Sequence, residues 1–316
     1  MKKLAIFVLA SVAFGQATHN DTNQTSIDGI IYGQSNATQA SILDDFLIFN
    51  TTSYGGTGLG WVHSGNGSYV TNTANNDWVY GASLAGTTGQ SIAGHPGITA
   101  CRFSANSSRC ALGSIAVQNA ADLWRGVVLE DLEDYTTPAT GWKTAEAQVG
   151  FTTNGGSTFP CVVSLNNVGG CYPGMFVQVA NAGSYVNWFV WACTASATCD
   201  TAADTGVVSN NGWWAIEIAH LECVPAGSCS TTNTFGVKLA TTLAGLASVG
   251  YTCISTRSSG LPAACSQGTN TTSATHLQTT GNVNFFTQMN IPATGQGDSY
   301  VVNLDLMGIA VTGLTR

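Results

Sequence analysis

Two glutamates in this chain each follow a tryptophan by four residues. Trp142 precedes Glu146 in WKTAEAQVGF, and Trp213 precedes Glu217 in WWAIEIAHLE. Residues four apart in a β-strand share a face and lie about 13 Å apart. Thr144 and Gln148 share the face of Glu146, and Ala215 and Ala219 share that of Glu217. Small neighbours leave room beside a mid-strand carboxylate, and an indole gives a sugar ring a flat surface to stack on. If the two strands adjoin, Glu146 and Glu217 oppose one another across a concave sheet. A carboxyl separation of about 5 Å would then be the geometry of a retaining glycoside hydrolase. The bland account is that a sheet poor in charges still exposes some glutamates, and tryptophan falls beside them by chance. Glu222 does not assist Glu217 from the same regular strand, because their odd spacing puts them on opposite faces.

A second acidic feature is LEDLEDY, with Glu130, Asp131, Glu133 and Asp134. In extended chain Asp131 and Glu133 project from one face, Glu130 and Asp134 from the other. A turn at this point would gather carboxylate oxygens around Ca²⁺, which accepts six to eight oxygen ligands. Solvated acidic surface is the plainer account. Zinc is disfavoured because the cysteines are spaced more widely than zinc ligands usually are. No HExxH, EF-hand or strict G-x-S-x-G motif occurs. Trp61 in GLGWVHSGNG and Trp78 in NNDWVYG sit among Gly and Asn. They are candidates, with Trp142, Trp213 and Gln148, for a ligand-binding aromatic platform, although core packing accounts for most tryptophans.

Three fragments are WRGVVL at Trp124–Leu129, AEAQVGF around Gln148, and GSYVNWFVW ending at Trp191. Together they resemble the glutamic peptidases, secreted β-sandwich proteases that use a Gln/Glu dyad. The resemblance covers under about thirty residues. It implies a sandwich fold and an acid-protease chemistry, and assigns no role to any one residue here.

The elements that would position these residues are read from the cysteines. Ten fall into five close couples: Cys101 and Cys110, Cys161 and Cys171, Cys193 and Cys199, Cys223 and Cys229, Cys253 and Cys265. Intervals such as CTASATC and CVPAGSC are polar and turn-like, so each couple is expected to form a local disulfide closing one loop. The leading cysteines at 161, 193, 223 and 253 recur about every 30 residues, the length of two strands and their connections. That rhythm would crowd the staples on one rim of a sheet. It skips once, near position 131, where LEDLEDY is expected to form an acidic turn instead.

YVNWFVWAC and WWAIEIAHLEC carry the β-branched and aromatic residues of strands, and DSYVVNLDLMGIAVTGL gives one or two more. Leu239, Leu243, Leu246 and Ala247 in KLATTLAGLASV roughly follow helical spacing, with a buried strand as the alternative. The fold class that follows is all-β, an antiparallel β-sandwich or jelly roll with disulfide-stapled loops.

Residues 1–15, with Lys2, Lys3 and a short apolar run, have the order of a secretory signal peptide. Residues 16–43 are polar and cysteine-free, a flexible leader or a strand donated to a neighbouring copy. Residues 44–316 are expected to form one large β domain. Charged residues make up only 8% of the chain and hydrophobic ones 44%, which excludes disorder. Loss of Lys2 and Lys3 takes the formal net charge from −8 to about −10. No basic stripe is present for nucleic acid, and no apolar run is long enough for a transmembrane helix.

Three functions fit. The first is a secreted, non-catalytic extracellular or cell-surface protein, whether structural, adhesive or glycan-binding. Its partners would be polysaccharide or copies of itself, and it needs no active site. The second is an extracellular carbohydrate-active hydrolase using Glu146 and Glu217. The third is a secreted glutamic-type peptidase.

Overall fold

The computed structural model describes residues 39–44, 61–65, 79–80, 99–103, 109–114, 118–119, 123–134, 146–152, 174–180, 187–193, 203–208, 212–271, 282–290 and 300–312. Strands, numbered in chain order, build two sheets. A nine-stranded sheet contains β1 (Gln39–Asp44), β3 (Val79–Tyr80), β4 (Thr99–Phe103), β7 (Leu123–Asp134), β12 (Gly212–Val224), β13 (Thr232–Ala240), β14 (Tyr251–Ser255), β15 (Cys265–Asn270) and β17 (Tyr300–Thr312). Its order is β15-β14-β13-β12-β7-β17-β4-β3, with β1 also paired to β17. An eight-stranded sheet contains β2 (Trp61–Gly65), β5 (Arg109–Ser114), β6 (Gln118–Asn119), β8 (Glu146–Thr152), β9 (Gly174–Ala180), β10 (Asn187–Cys193), β11 (Ala203–Val208) and β16 (Asn282–Asn290). Its order is β11-β10-β9-β8-β16-β5-β2, with β6 also on β16. Pairing is antiparallel throughout except between β14 and β15.

The sheets meet face to face through one apolar core. Trp124, Val128 and Leu132 of β7, with Trp214, Ile216 and Ile218 of β12, pack against Val149 and Phe151 of β8, Trp188 and Val190 of β10, and Phe285 of β16. Each set recurs with the two-residue period of a strand, so alternation in the sequence selects the inner face. Large rings dominate: Trp124 and Phe151 have centroids 3.7 Å apart, and Trp188 meets Trp214 edge-on at 5.6 Å. Gly126 on β7 is required there, because a Cβ would lie 2.5 Å from the Phe285 ring. The fold is the expected all-β sandwich.

The outer face of the nine-stranded sheet is also largely covered. Val127, Leu129, Ala215 and Ala310 bury with Leu243 and Leu246, which come from the segment following β13. Within that segment Ala244–Ser248 is a 3-10 turn, and Lys238–Ala240 belong to β13. The four-residue spacing of KLATTLAGLASV thus resolves into a strand end and a short turn that folds back over the sheet.

Two other expectations are corrected. LEDLEDY is not a turn. Its residues through Asp134 form the second half of β7, which is paired on both sides, to β12 and to β17. A strand with two partners holds its backbone extended. The two disulfides among the described residues also differ in kind. Cys223–Cys229 closes the β12–β13 hairpin, as expected. Cys253–Cys265 instead ties β14 to β15, which run parallel and so cannot be joined by a tight turn. Its Cys253 lies inside the strand, opposite Gly236, away from a rim.

Cys101 and Cys110 fall in β4 and β5, in different sheets, and Cys193 ends β10. Cys161, Cys171 and Cys199 lie outside the described residues, as does the signal segment. The leader's final residues, from Gln39, form β1 and pair with β17 of the same chain, from Gln39 opposite Thr312 to Asp44 opposite Met307. No helix among the described residues is long and apolar enough to cross a membrane.

Candidate functional site

Glu217 stands at the middle of β12 and points away from the sandwich core, since Trp214, Ile216, Ile218 and His220 take the inner positions. Register places a row across the sheet. Val127 on β7 is opposite Glu217, and Glu217 is opposite Lys238 on β13. On β14, Thr252 is opposite Val237, and Tyr251 is the residue before it. The small residues Ala215 and Ala219, which in the sequence suggest room for a ligand, do clear space around the carboxylate. That space is filled from within the chain.

Tyr251 lies over Gly236, where a Cβ would come within 3.0 Å of its ring, and its hydroxyl donates a hydrogen bond to Glu217 Oε1. The same oxygen is 3.6 Å from Arg125 Nη1, and Lys238 Nζ is 3.9 Å from Oε2. The ammonium also donates to the carbonyl of Leu246 at 3.2 Å and sits 4.6 Å above the Tyr251 ring. Burial, then the neighbouring Glu217 charge, pushes the Tyr251 phenol well above its usual range, so it remains a donor. Glu217 is almost wholly buried, whereas the Arg125 side chain is 47% exposed. The result is a carboxylate enclosed by a phenol, an ammonium and a guanidinium.

Glu146 opens β8 in the other sheet, opposite Ala180 and Asn290. The neighbours of β8 are β9 and β16, and those of β12 are β7 and β13. Glu146 and Glu217 therefore do not face one another across a shared sheet. Gln148, two residues along β8, is buried and accepts a hydrogen bond at 2.6 Å from Gln288 Nε2 on β16. It too is in the sheet opposite Glu217.

The acidic run divides by strand parity. Glu130 enters the sandwich interior, where Thr287 Oγ1 on β16 donates to its Oε2 at 2.7 Å. Burial raises its pKa to about 8, partly offset by that hydrogen bond. Asp131 faces the opposite way and accepts from Asn303 Nδ2 at 3.2 Å. Glu133 and Asp134 occupy the last positions of β7. Glu130 and Asp131 therefore project from opposite faces of β7. Among the described residues, no three of His, Cys, Asp and Glu could hold a metal ion.

Trp213 is half-buried on the outer face and packs with the Leu243–Leu246 cluster. Trp61 begins β2, and Trp142 and Trp78 lie outside the described residues. Glu222, which is beyond a bulge in the β12–β13 register, pairs bidentately with Arg257 through two 2.8 Å contacts. The sequence reading missed Lys238, Tyr251 and Arg125 as partners of Glu217. They are scattered along the chain, and only strand order brings them together.

No family model matches the chain, and no curated protein matches it. Among solved structures it is similar to the carbohydrate recognition domain of Emp47p, with TM-score 0.44 and 11% identity over 89% of this chain and 100% of that one. Peanut lectin gives TM-score 0.44 and 8% identity, with the same shares covered. An endo-1,3-beta-glucanase from Streptomyces sioyaensis gives 0.44 and 9%, over 89% of this chain and 99% of that one. Likenesses at this level carry no argument about activity, and the assignments below rest on the residues.

Proposed function

We propose that this chain is a secreted, non-catalytic protein whose β-sandwich binds glycans outside the cell. The observation that carries this reading is the enclosure of Glu217. A general acid or a nucleophile needs a carboxylate oxygen open to substrate and, in glycoside hydrolysis, a second carboxyl about 5 to 9 Å away. Glu217 Oε1 already meets Tyr251 and Arg125, and Lys238 flanks Oε2. Its proposed partner Glu146 belongs to the other sheet. A charge cluster of this kind supports the sheet rather than turning over a substrate.

Extracellular placement is supported by the signal-like first fifteen residues and by two disulfides, bonds that persist in oxidising compartments. The low charge and the Thr-, Asn- and Gly-rich composition suit hydrogen bonding to neutral hydroxyls. Trp61, Trp78 and Trp142 remain the proposed stacking surfaces for sugar rings. Self-assembly through the leader would have to use residues before Gln39, because the following ones complete β17 within the chain.

The test is a glycan-array and polysaccharide-hydrolysis screen of the mature protein, run beside Glu217→Gln. Binding without product release is the expected outcome. Turnover of any polysaccharide that Glu217→Gln abolishes would sink the non-catalytic reading and restore the hydrolase.

A further inference from the structure

Three cations have described surroundings, and they are used unequally. Arg257 is paired bidentately with Glu222, with Nε and Nη2 each 2.8 Å from a carboxylate oxygen. Lys238 is half-buried among Glu217, Tyr251 and the Leu246 carbonyl. Arg125 is different. Its one ion pair among the described residues is the 3.6 Å approach to Glu217 Oε1, an oxygen that already accepts from Tyr251. A guanidinium carries five N–H donors in a fixed fork, so among the described residues most of its hydrogen-bonding capacity is unspent.

Charge counting points the same way. Glu217 supplies one negative charge and faces two positive ones, which leaves one surplus cation within this cluster. The chain as a whole is acidic, with a formal net charge of −8. Arg125 is held in place from behind by a buried carboxylate and remains 47% exposed in front. An under-coordinated fork beside a second ammonium is suited to a planar or tetrahedral oxyanion, which accepts two parallel N–H bonds.

We propose that Arg125, backed by Lys238, is an anion subsite that takes a carboxylate or sulfate group carried on a glycan. This deepens the glycan-binding reading and rests on it. Glu217 is then a positioning residue: it orients Arg125 and competes with the ligand for its charge. The two substitutions should therefore act in opposite directions. Arg125→Gln removes the fork, and Glu217→Gln removes the internal competitor.

The experiment measures binding of the mature protein to a uronic-acid polymer, a sulfated polymer and a neutral polymer, at low and at physiological salt. Expected are binding of at least one acidic polymer that weakens with salt, a loss of about tenfold or more in Arg125→Gln, and a gain in Glu217→Gln. Thermal melts of both variants establish that they are folded, and Arg125→Lys should retain part of the affinity. The uronate and sulfate arms decide which oxyanion is taken. Acidic-polymer binding that Arg125→Gln leaves unchanged overturns the subsite while glycan binding stands. Binding confined to the neutral polymer does the same. Absence of binding to all three polymers refutes both the subsite and the glycan-binding reading.

Discussion

Glu130 should make this protein less stable as the pH rises through neutrality. Its side chain enters the sandwich between Trp214 and Leu304, its register neighbours on β12 and β17. Thr287 donates to Oε2, while Oε1 has no partner among the described residues. Val149, opposite Thr287 on β8, is apolar. The titratable group nearest along the inner face of β12 is His220, six residues beyond Trp214, or about 20 Å along the strand. It is already bonded to Asn233. With no cation beside it among the described residues, burial disfavours the carboxylate and moves the pKa from 4.5 to about 8.

The sign follows from linkage. Below about pH 4.5 the carboxyl is protonated in folded and unfolded chains alike, and it contributes no slope. Between 4.5 and 8 the unfolded chain releases the proton and the folded chain keeps it, so stability falls by about 1.4 kcal/mol per pH unit. Above 8 both forms are ionised and the loss levels off at about 5 kcal/mol, a large share of a typical domain's stability. The assay is urea denaturation of the disulfide-intact protein from pH 4.5 to 8.5, beside Glu130→Gln. The amide mimics the neutral acid, so the variant should match wild type near pH 4.5 and exceed it progressively toward pH 8. Parallel stability curves for the two proteins would refute the argument.

Other perturbations have equally definite outcomes. Tyr251→Phe deletes the donor to buried Glu217 and should cost about 1 to 3 kcal/mol by the same denaturation assay. Hydrogen bonding from Arg257 lowers the Glu222 pKa, so that pair's contribution is present above the unfolded value of 4.5 and is lost as pH falls below it. Because the pair is partly exposed, Glu222→Gln should produce only a small difference, confined to neutral pH and reduced by salt. Replacing Cys223 and Cys229 together by serine should cost about 2 kcal/mol, from the short loop they close. Replacing Cys253 and Cys265 should cost about 3 kcal/mol and should show first as faster hydrogen exchange in edge strand β15.

The strand content and the two local staples were legible because each has a short-range signature. WWAIEIAHLEC becomes β12 because its aromatic and β-branched residues fill the inner positions, and Cys223 and Cys229 are six residues apart at a hairpin. Sheet membership has no such signature. Nothing near Glu146 or Glu217 states that β8 and β12 occupy different layers, and the hydrolase pairing depended on that. The helical spacing of Leu239, Leu243 and Leu246 was genuine periodicity, but the first leucine belongs to a strand and the last to a 3-10 turn. LEDLEDY looked like a turn because four acids in five residues seldom enter a sheet centre. Its β-pairing on both sides overrides that composition, and Glu130 remains there with a strongly raised pKa.

The two buried glutamates of the large sheet show how parity alone separates their chemistry. Glu130 is even-numbered on β7, faces the apolar interior, and among the described residues finds one hydroxyl and no cation. Glu217 occupies the other face of the adjacent strand, where Arg125, Lys238 and Tyr251 reach it from three different strands. Shifting β12 by one residue would turn Glu217 inward, placing a second carboxylate among the core rings and away from Lys238 and Tyr251. Glu217 thus helps fix the register of β12, because a slipped pairing incurs a desolvation cost as well as a loss of apolar burial. On that account, Glu217→Leu should be better tolerated than Arg125→Leu combined with Lys238→Leu. The single change removes the buried charge, and the double change leaves that charge unpaired. Urea midpoints at pH 7 in the opposite order would show that the cluster does not hold the register.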